Sequence, residues 1–159
     1  GDGSMIAPGL NMGHLYLEVG NAAMAYEAFK EVRVRCNDCN NSVLGYGIAA
    51  NRLKRYKEAQ TAFEQILDDE PNNAAALYRL ALVRHHGFKD SDGASKHLQR
   101  LITRSRTSDR YVKERAHSFL RIIKATADTD ERTMLAEGEK APEKGNADDA
   151  EVLMTTLEE

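Results

Sequence analysis

Apolar residues recur at spacings of three and four along the first hundred residues, which is the pattern of helices that bury one face. One such face carries Val43, Tyr46, Gly47 and Ala50. The next face along the chain carries Ala59, Ala62, Phe63, Ile66 and Leu67. Pro71 then ends the second helix, because proline lacks an amide donor and its ring clashes with the preceding turn. The segment is therefore predicted to form two helices joined by a short turn.

This two-helix unit repeats with a period of 34 residues, which indicates an array built from one structural unit. The matching pairs, each separated by 34 residues, are Gly13 and Gly47, Ala25 and Ala59, and Phe29 and Phe63. The small residues are expected to let the two helices of a pair approach, and the large residue is expected to fill the space between pairs. The recurrence therefore predicts nested helix pairs, with a generic helical bundle as the alternative.

A third copy of the unit follows with one residue inserted. Ala81 keeps the spacing of 34, but Ala94 and Leu98 stand 35 residues after their counterparts. The stretch Gly87–Gly93 is rich in Gly, Asp and Ser, which is typical of a turn. The insertion is therefore predicted to fall in this turn, outside both helices, where an extra residue is tolerated.

The repeating unit resembles the tetratricopeptide repeat family. The resemblance rests on the period of 34 and on YKEAQTAF at 56–63 followed by EPNN at 70–73, which are similar to the family's second helix and the junction after it. Asn37 stands where the second repeat has Pro71, which departs from the family pattern. The resemblance implies an all-α, right-handed α-solenoid of seven helices, with repeats at about 6–39, 40–73 and 74–107 and a capping helix at about 108–126.

The resemblance also implies that a partner binds in a concave groove lined by the first helix of each pair. The groove is expected to be apolar along its centre, with Arg52, Arg79 and the histidines at its sides, and to hold an amphipathic helix or a short hydrophobic motif. Tyr78 and Arg79 are expected to contribute most to binding. The alternative is that the groove leucines contact the capping helix or the tail. The predicted lining residues are Leu10, Asn11, His14, Leu17, Asn41, Leu44, Ile48, Asn51, Arg52, Tyr78, Arg79, Leu82, His85 and His86.

The family's best-known function is the capture of chaperone C-terminal carboxylates by a clamp of two Lys, two Asn and one Arg. The corresponding positions in this sequence hold Leu10, His14, Gly45, Ala75 and Arg79. Only the arginine fits, and although it can hold one carboxylate with paired hydrogen bonds, the cooperating donors are absent from the sequence. The groove is therefore predicted to lack an intact carboxylate clamp.

The formal net charge of −3 conceals an uneven distribution. Residues 1–126 carry a net charge of +5, and residues 127–159 carry −8. The acidic segment holds few large aliphatic residues, so burial cannot offset its ordering entropy, and it is predicted to be a flexible, solubilising tail. A small apolar group within it is hypothesised to visit the groove as a placeholder ligand: Val152, Leu153, Met154 and Leu157.

The capping helix is predicted to carry a basic surface. This surface suggests an alternative function, in which the protein is a structural subunit that binds an acidic protein or RNA. Nucleic acid is disfavoured as the partner, because Tyr111 is the one nearby aromatic residue expected to be exposed. Surfaces that bind nucleic acid by stacking on its bases usually use several aromatic side chains. The basic residues are Arg110, Lys113, Arg115, Arg121 and Lys124.

The ends of the chain add little to the picture. Gly1 to Ser4 are interpreted as a remnant of an expression vector before Met5, and no signal-peptide pattern follows. No apolar run approaches the roughly 18 residues that a membrane span needs. The cytoplasm is therefore the default expectation for location.

The sequence contains no convincing catalytic or metal-binding pattern. Cys36 and Cys39 have the spacing of metal ligands, but a zinc site needs four ligands and a second pair is absent. Redox activity is disfavoured because no βαβ pattern surrounds the two cysteines, which are interpreted as small residues in the turn between repeats. His14 and Glu18 form at most a weak local contact. We therefore expect a non-enzymatic adaptor, scaffold or co-chaperone-like module without a cofactor or a metal.

Overall fold

The structure is a computed structural model that describes residues 6–36 and 39–139. Within these residues it contains seven α-helices and no β-strand. A π-helical turn, Val83–Gly87, extends the fifth helix, and a short 3-10 turn, Thr107–Asp109, precedes the seventh. The helices are α1 Ile6–Glu18, α2 Ala22–Arg35, α3 Asn40–Arg52, α4 Tyr56–Asp69, α5 Ala74–Leu82, α6 Ser91–Arg104 and α7 Arg110–Glu139.

The first six helices pack as three consecutive pairs. Helix α1 contacts α2, α3 contacts α4, and α5 contacts α6, while contacts of α2 with α3 and of α4 with α5 join one pair to the next. The chain divides into two compact units, Gly1–Arg121 and Ile122–Glu159. Helix α7 therefore begins in the first unit and continues into the second.

The backbone repeats together with the sequence. Gly20, Lys54 and Lys89 have φ angles of 81°, 61° and 57°, which lie in the left-handed region. These three residues are separated by 34 and 35 positions, and a second helix begins two residues after each of them. The turn inside each pair therefore contains a left-handed residue at the same distance from the second helix. Because Lys89 already stands 35 residues after Lys54, the inserted residue of the third repeat must lie before it.

The inserted residue is accommodated in the π-helical turn Val83–Gly87. The amide of Phe88 donates to the carbonyl oxygen of Val83 over 3.2 Å, so this bond spans five residues instead of four. A π-helical turn holds one additional residue without ending the helix. The prediction that the insertion lies in Gly87–Gly93, outside both helices, is therefore wrong. The glycine-rich composition of that stretch marks a turn correctly, but an insertion inside a helix leaves no such compositional mark.

Small residues bring the helices close, as the repeat pattern predicted. A Cβ atom on Gly13 would lie 2.6 Å from Cζ of Phe29, and one on Gly45 would meet the same ring. A Cβ atom on Gly47 would lie 2.6 Å from Cε1 of Phe63. These approaches are possible only because the three positions lack a side chain, and both rings are completely buried. The recurring alanines are also completely buried: Ala25, Ala59, Ala81 and Ala94.

A polar cluster ties α2, α3 and α4 together. The hydroxyls of Tyr26 and Tyr46 donate to Oε2 of Glu58 over 2.5 Å and 2.6 Å. The guanidinium groups of Arg33 and Arg55 lie over the rings of Tyr46 and Tyr26, at 4.3 Å and 4.6 Å from their centroids. The hydrogen bonds from both tyrosines lower the pKa of Glu58. The pKa of Tyr46 is raised first by burial and then by its hydrogen bonds with Glu58 and Tyr26.

A disulfide joins Cys36 and Cys39, whose Cα atoms are 5.5 Å apart. Cys36 directly follows α2 and Cys39 directly precedes α3, so the bond closes the junction between the first and second repeats. The sequence placed both cysteines in this turn but did not identify the bond between them.

Helix α7 continues to Glu139, beyond the predicted end of the capping helix near residue 126. The prediction of a flexible tail is therefore wrong for residues 127–139. It rested on the scarcity of large aliphatic residues, which measures burial and not helix propensity. Propagating an existing helix costs little, and this segment contains Ala, Glu, Arg, Met and Leu, which are good helix formers. The remainder of the predicted tail, residues 140–159, lies outside the described residues.

The described helices are either too short or too polar to cross a lipid bilayer.

Candidate functional site

The fourteen residues predicted to line a groove lie on α1, α3, α5 and the π-helical turn, and this set is named the first-helix surface. None of the fourteen is fully buried, so each keeps some contact with solvent. The exposed members are Asn11, His14, Asn41, Arg52 and His86. The half-buried members are Leu10, Leu17, Leu44, Ile48, Asn51, Tyr78, Arg79, Leu82 and His85.

The apolar members of the first two repeats are held in place by packing against the core. They pack against the buried cluster that contains Phe29 and Phe63 while keeping part of their surface accessible. A surface that is ordered before binding loses little conformational entropy when a ligand arrives. The residues concerned are Leu10, Leu17, Leu44 and Ile48.

Arg52 and His14 connect the first-helix surface to the rest of the fold. Nη1 of Arg52 donates to the carbonyl oxygen of Leu17 over 2.6 Å, which links α3 to α1. The ring of His14 meets the ring of Phe29 edge-on, with centroids 5.2 Å apart. Arg52 therefore has a structural contact in addition to any part in binding.

The third repeat packs its aromatic residues against the beginning of α7. The ring centroid of Phe119 lies 5.3 Å from that of His85, 5.8 Å from that of His86 and 6.3 Å from that of Tyr78. Nδ1 of His85 lies 3.1 Å from Oγ of Ser91. Burial, together with the neighbouring His86, lowers the pKa of His85 and so favours the neutral imidazole. At this end of the first-helix surface, Tyr78, His85 and His86 therefore contact the capping helix.

Positive charge is concentrated beside Tyr78. The guanidinium of Arg115 lies over the Tyr78 ring at 5.0 Å from its centroid. Arg79 is half-buried, and its pKa is lowered first by burial and then by the charges of Arg115 and Arg52. Within residues 6–36 and 39–139, no carboxylate forms an ion pair with Arg79. Its donors are therefore available to an anionic group of a ligand.

Two cations of the predicted basic surface already have partners within the capping helix. Nε of Arg110 lies 3.1 Å from Oε1 of Glu114, and Arg121 donates to a serine hydroxyl of the same helix over 3.3 Å. The remaining cations are Lys113, which is half-buried, and Lys124, which belongs to the second unit. Arg115, described above, is the member of this set that reaches the first-helix surface.

The arrangement of these residues supports the binding of a ligand. In the part of the chain that the structure describes, no group of three or more His, Cys, Asp or Glu residues is placed to hold a metal ion. An accessible apolar surface with an unpaired guanidinium at one end can hold a peptide that has an apolar face and an acidic residue. The apolar group of the tail that was hypothesised to visit the groove, Val152, Leu153, Met154 and Leu157, lies outside the described residues.

Comparisons with known proteins agree with this architecture. A family model described as tetratricopeptide repeat matches residues 50–117, and no curated protein sequence matches the chain. The crystal structure of the Yersinia enterocolitica type III secretion translocator chaperone SycD (alternative dimer) is similar with a TM-score of 0.71 and 16% identity, over 79% of this chain and 96% of that one. The NMR structure of the first TPR domain of human RPAP3 is similar with a TM-score of 0.67 and 16% identity, over 80% of this chain and 96% of that one.

At this level of identity the likeness to solved structures concerns the fold. The family match and the two structures together confirm the resemblance found in the sequence and the predicted all-α solenoid.

Proposed function

Because the chain contains tetratricopeptide repeats, we propose that it is a non-enzymatic protein–protein interaction module that holds an amphipathic segment of a partner on its first-helix surface. The observation that carries the proposal is the half-buried Arg79, which has no carboxylate partner among the described residues and belongs to the same first-helix surface as the accessible apolar side chains. Such a group recognises a carboxylate far better than it recognises a neutral ligand.

The ligand that fits has two chemical features. Its apolar residues, at helical spacing, contact Leu44 and Ile48, which offer accessible hydrophobic area above the core. One acidic residue near the end of the ligand pairs with Arg79. A purely apolar ligand would cover Arg79 without pairing it, and desolvating an unpaired charge is costly.

Tyr78 supports the proposal as a rigid anchor. The guanidinium of Arg115 lies over its ring, and the ring of Phe119 meets it edge-on. Side chains that are immobilised before binding contribute to affinity with a small entropic cost, and tyrosine and arginine are common among the residues that dominate binding.

A displayed library of random peptides tests the proposal without knowledge of the natural partner. Selection on the wild-type protein is expected to enrich sequences with apolar residues at helical spacing and an acidic residue. An Arg79→Gln variant should bind these peptides about ten- to a hundredfold more weakly, since about 1.4–2.8 kcal/mol of charge pairing is lost. Tyr78→Ala should weaken them as well, because the anchor is removed.

Arg110→Gln is the matched control, because it removes a guanidinium that is already paired with Glu114. This variant should bind like the wild type. Enriched peptides without acidic residues, or equal binding by the Arg79→Gln protein, would contradict the proposed ligand chemistry.

A second candidate function uses the basic side of α7 to bind an acidic protein or RNA. It is favoured by Tyr111, which is highly exposed and lies beside Arg115, with the guanidinium 5.9 Å from the ring centroid. Binding by this route should weaken steeply with added salt and should be lost on reversing the charges of Arg110 and Lys113. Under the first function, the same reversal leaves peptide binding almost unchanged.

A further inference from the structure

The first helix pair has an outer face that is apolar and has no partner in the described chain. A cavity of about 700 Å³ opens between α1 and α2 on this face. Three exposed apolar side chains line it: Met12, Met24 and Val34. Gly9, Ala28 and Val32 form part of its floor. This region is named the outer face of the first repeat.

The repeats of the chain show that the corresponding positions are normally covered. Met12 is 43% exposed, whereas the residues 34 and 68 positions later are 8% and 1% exposed. Leu15 is 49% exposed, whereas its two counterparts are completely buried. In the second and third repeats the preceding pair supplies the cover, since α3 packs against α2 and α5 packs against α4. The counterparts are Tyr46 and Leu80 for Met12, and Ala49 and Val83 for Leu15.

The outer face is separate from the proposed peptide-binding surface. Successive residues of a helix are 100° apart, so Met12 and Leu15 project from one side of α1 while Leu10 and Leu17 project from the other. A contact made through the outer face therefore leaves the first-helix surface open.

The geometry points to a second copy of this chain as the occupant, with two outer faces paired about a twofold axis. A twofold contact requires one patch to supply both projections and a depression. The outer face has both, because Met24 and Val34 line the cavity and are also exposed to solvent. Methionine side chains also adapt readily to an apolar partner.

The charges around the cavity also suit a second copy. The cavity is bordered by two acidic and two basic residues, so its rim has a formal net charge of zero. Two identical patches with a net charge would repel each other. Glu31 already pairs with Arg35 over 2.8 Å within α2, which leaves Glu27 and Lys30 to meet their opposite charges across the axis. The four residues are Glu27, Lys30, Glu31 and Arg35.

Sedimentation velocity of the full chain between about 1 µM and about 1 mM tests the proposal, since this range covers the dissociation constants of weak and moderate dimers. The wild-type protein is expected to shift from monomer to dimer with rising concentration. Met12→Glu and Met24→Glu should each weaken the dimer by at least a hundredfold, because a twofold contact contains each substitution twice. Met134→Glu is the matched control, since Met134 is 72% exposed in the second unit and should leave the dimer unchanged.

Methyl NMR of the methionines identifies the surface that is used. The methyl signals of Met12 and Met24 should move with protein concentration, and that of Met134 should stay in place. Far-UV circular dichroism of each glutamate variant checks that its helices are intact, which is expected because both methionines are partly exposed. A wild-type protein that remains monomeric across the whole range overturns the proposal. A dimer whose methyl shifts avoid Met12 and Met24 overturns it as well.

Discussion

Adding one methyl group at either glycine beside Phe29 should destabilise the fold, although alanine is the better helix former. Gly13 of α1 and Gly45 of α3 both approach the ring of Phe29, and Cζ is the nearest atom to each. The ring is completely buried, so it has no free space into which to retreat. Gly13→Ala and Gly45→Ala are therefore tests of the nested packing.

The expected magnitude is the difference between two opposing effects. Alanine gains about 1 kcal/mol over glycine inside a helix. Overpacking a filled core costs about 1–3 kcal/mol, and the upper end applies where two helices approach the same ring atom. Each substitution should therefore lower the free energy of unfolding by about 2 kcal/mol.

Urea unfolding followed by far-UV circular dichroism measures this loss. Gly138→Ala in α7 is the matched control, because nothing lies within 4 Å of a Cβ atom at that position. The control should be neutral or more stable by up to about 1 kcal/mol. In addition, the pair Gly13→Ala and Phe29→Leu should cost less together than the sum of the two single changes, because the smaller side chain makes room for the methyl group.

The reasoning would be refuted if Gly13→Ala and Gly45→Ala were both as stable as the wild type or more stable. That result would mean that the helices do not approach as closely as the repeat packing requires.

Three further predictions concern the polar cluster and the disulfide. Glu58→Ala should lower the free energy of unfolding in urea by about 1–2 kcal/mol, because the hydroxyls of Tyr26 and Tyr46 lose a charged acceptor; unchanged stability would count against the cluster. The pKa of Glu58 is lowered from 4.5 and that of Tyr46 is raised from 10.0, so their stabilisation should be full between these pH values. This stabilisation should be lost as the pH falls through the folded-state pKa of Glu58 and as the pH rises above 10.0. Melting temperatures that change with pH in the same way in the wild type and in Glu58→Ala would contradict this expectation. Reducing the bond between Cys36 and Cys39 should cost about 2 kcal/mol by the loop-entropy relation, whereas a protein with both cysteines changed to serine should not respond to the reductant.

The repeat period is sufficient to predict the helix pairs, because the same steric requirement recurs at each copy. Gly13 and Gly47 must be small so that Phe29 and Phe63 can pack against them, and this requirement is visible as identical residues at a spacing of 34. The contact of Gly45 with Phe29 has no counterpart in that spacing, so it became evident only from the structure.

Features that join distant parts of the chain were not predictable in this way. The cluster of Tyr26, Tyr46 and Glu58 draws on three helices, and each residue alone has an ordinary place in a helix pattern. The π-helical turn Val83–Gly87 was not predictable for a different reason. It keeps the helix continuous, so the amino-acid composition of the segment does not reveal it.

The sequence predicted which residues lie on the first helices of the pairs, but it did not predict the electrostatics around Arg79. The sequence placed Arg79 on the first helix of the third repeat and Arg115 on the capping helix, in two different hypotheses about binding. The structure brings both arginines beside Tyr78, because α7 packs against α5 through Phe119. A sequence pattern cannot supply this proximity, since the two arginines are 36 residues apart and belong to elements with different functions in the array.

Amide NMR titration with a peptide enriched in the library selection tests the central claim most directly. The largest shift changes are expected on Leu44, Ile48, Tyr78 and Arg79, and they should weaken sharply in the Arg79→Gln protein. Shift changes centred on Arg110 and Lys113, or on the outer face of the first repeat, would place the ligand elsewhere and contradict the account.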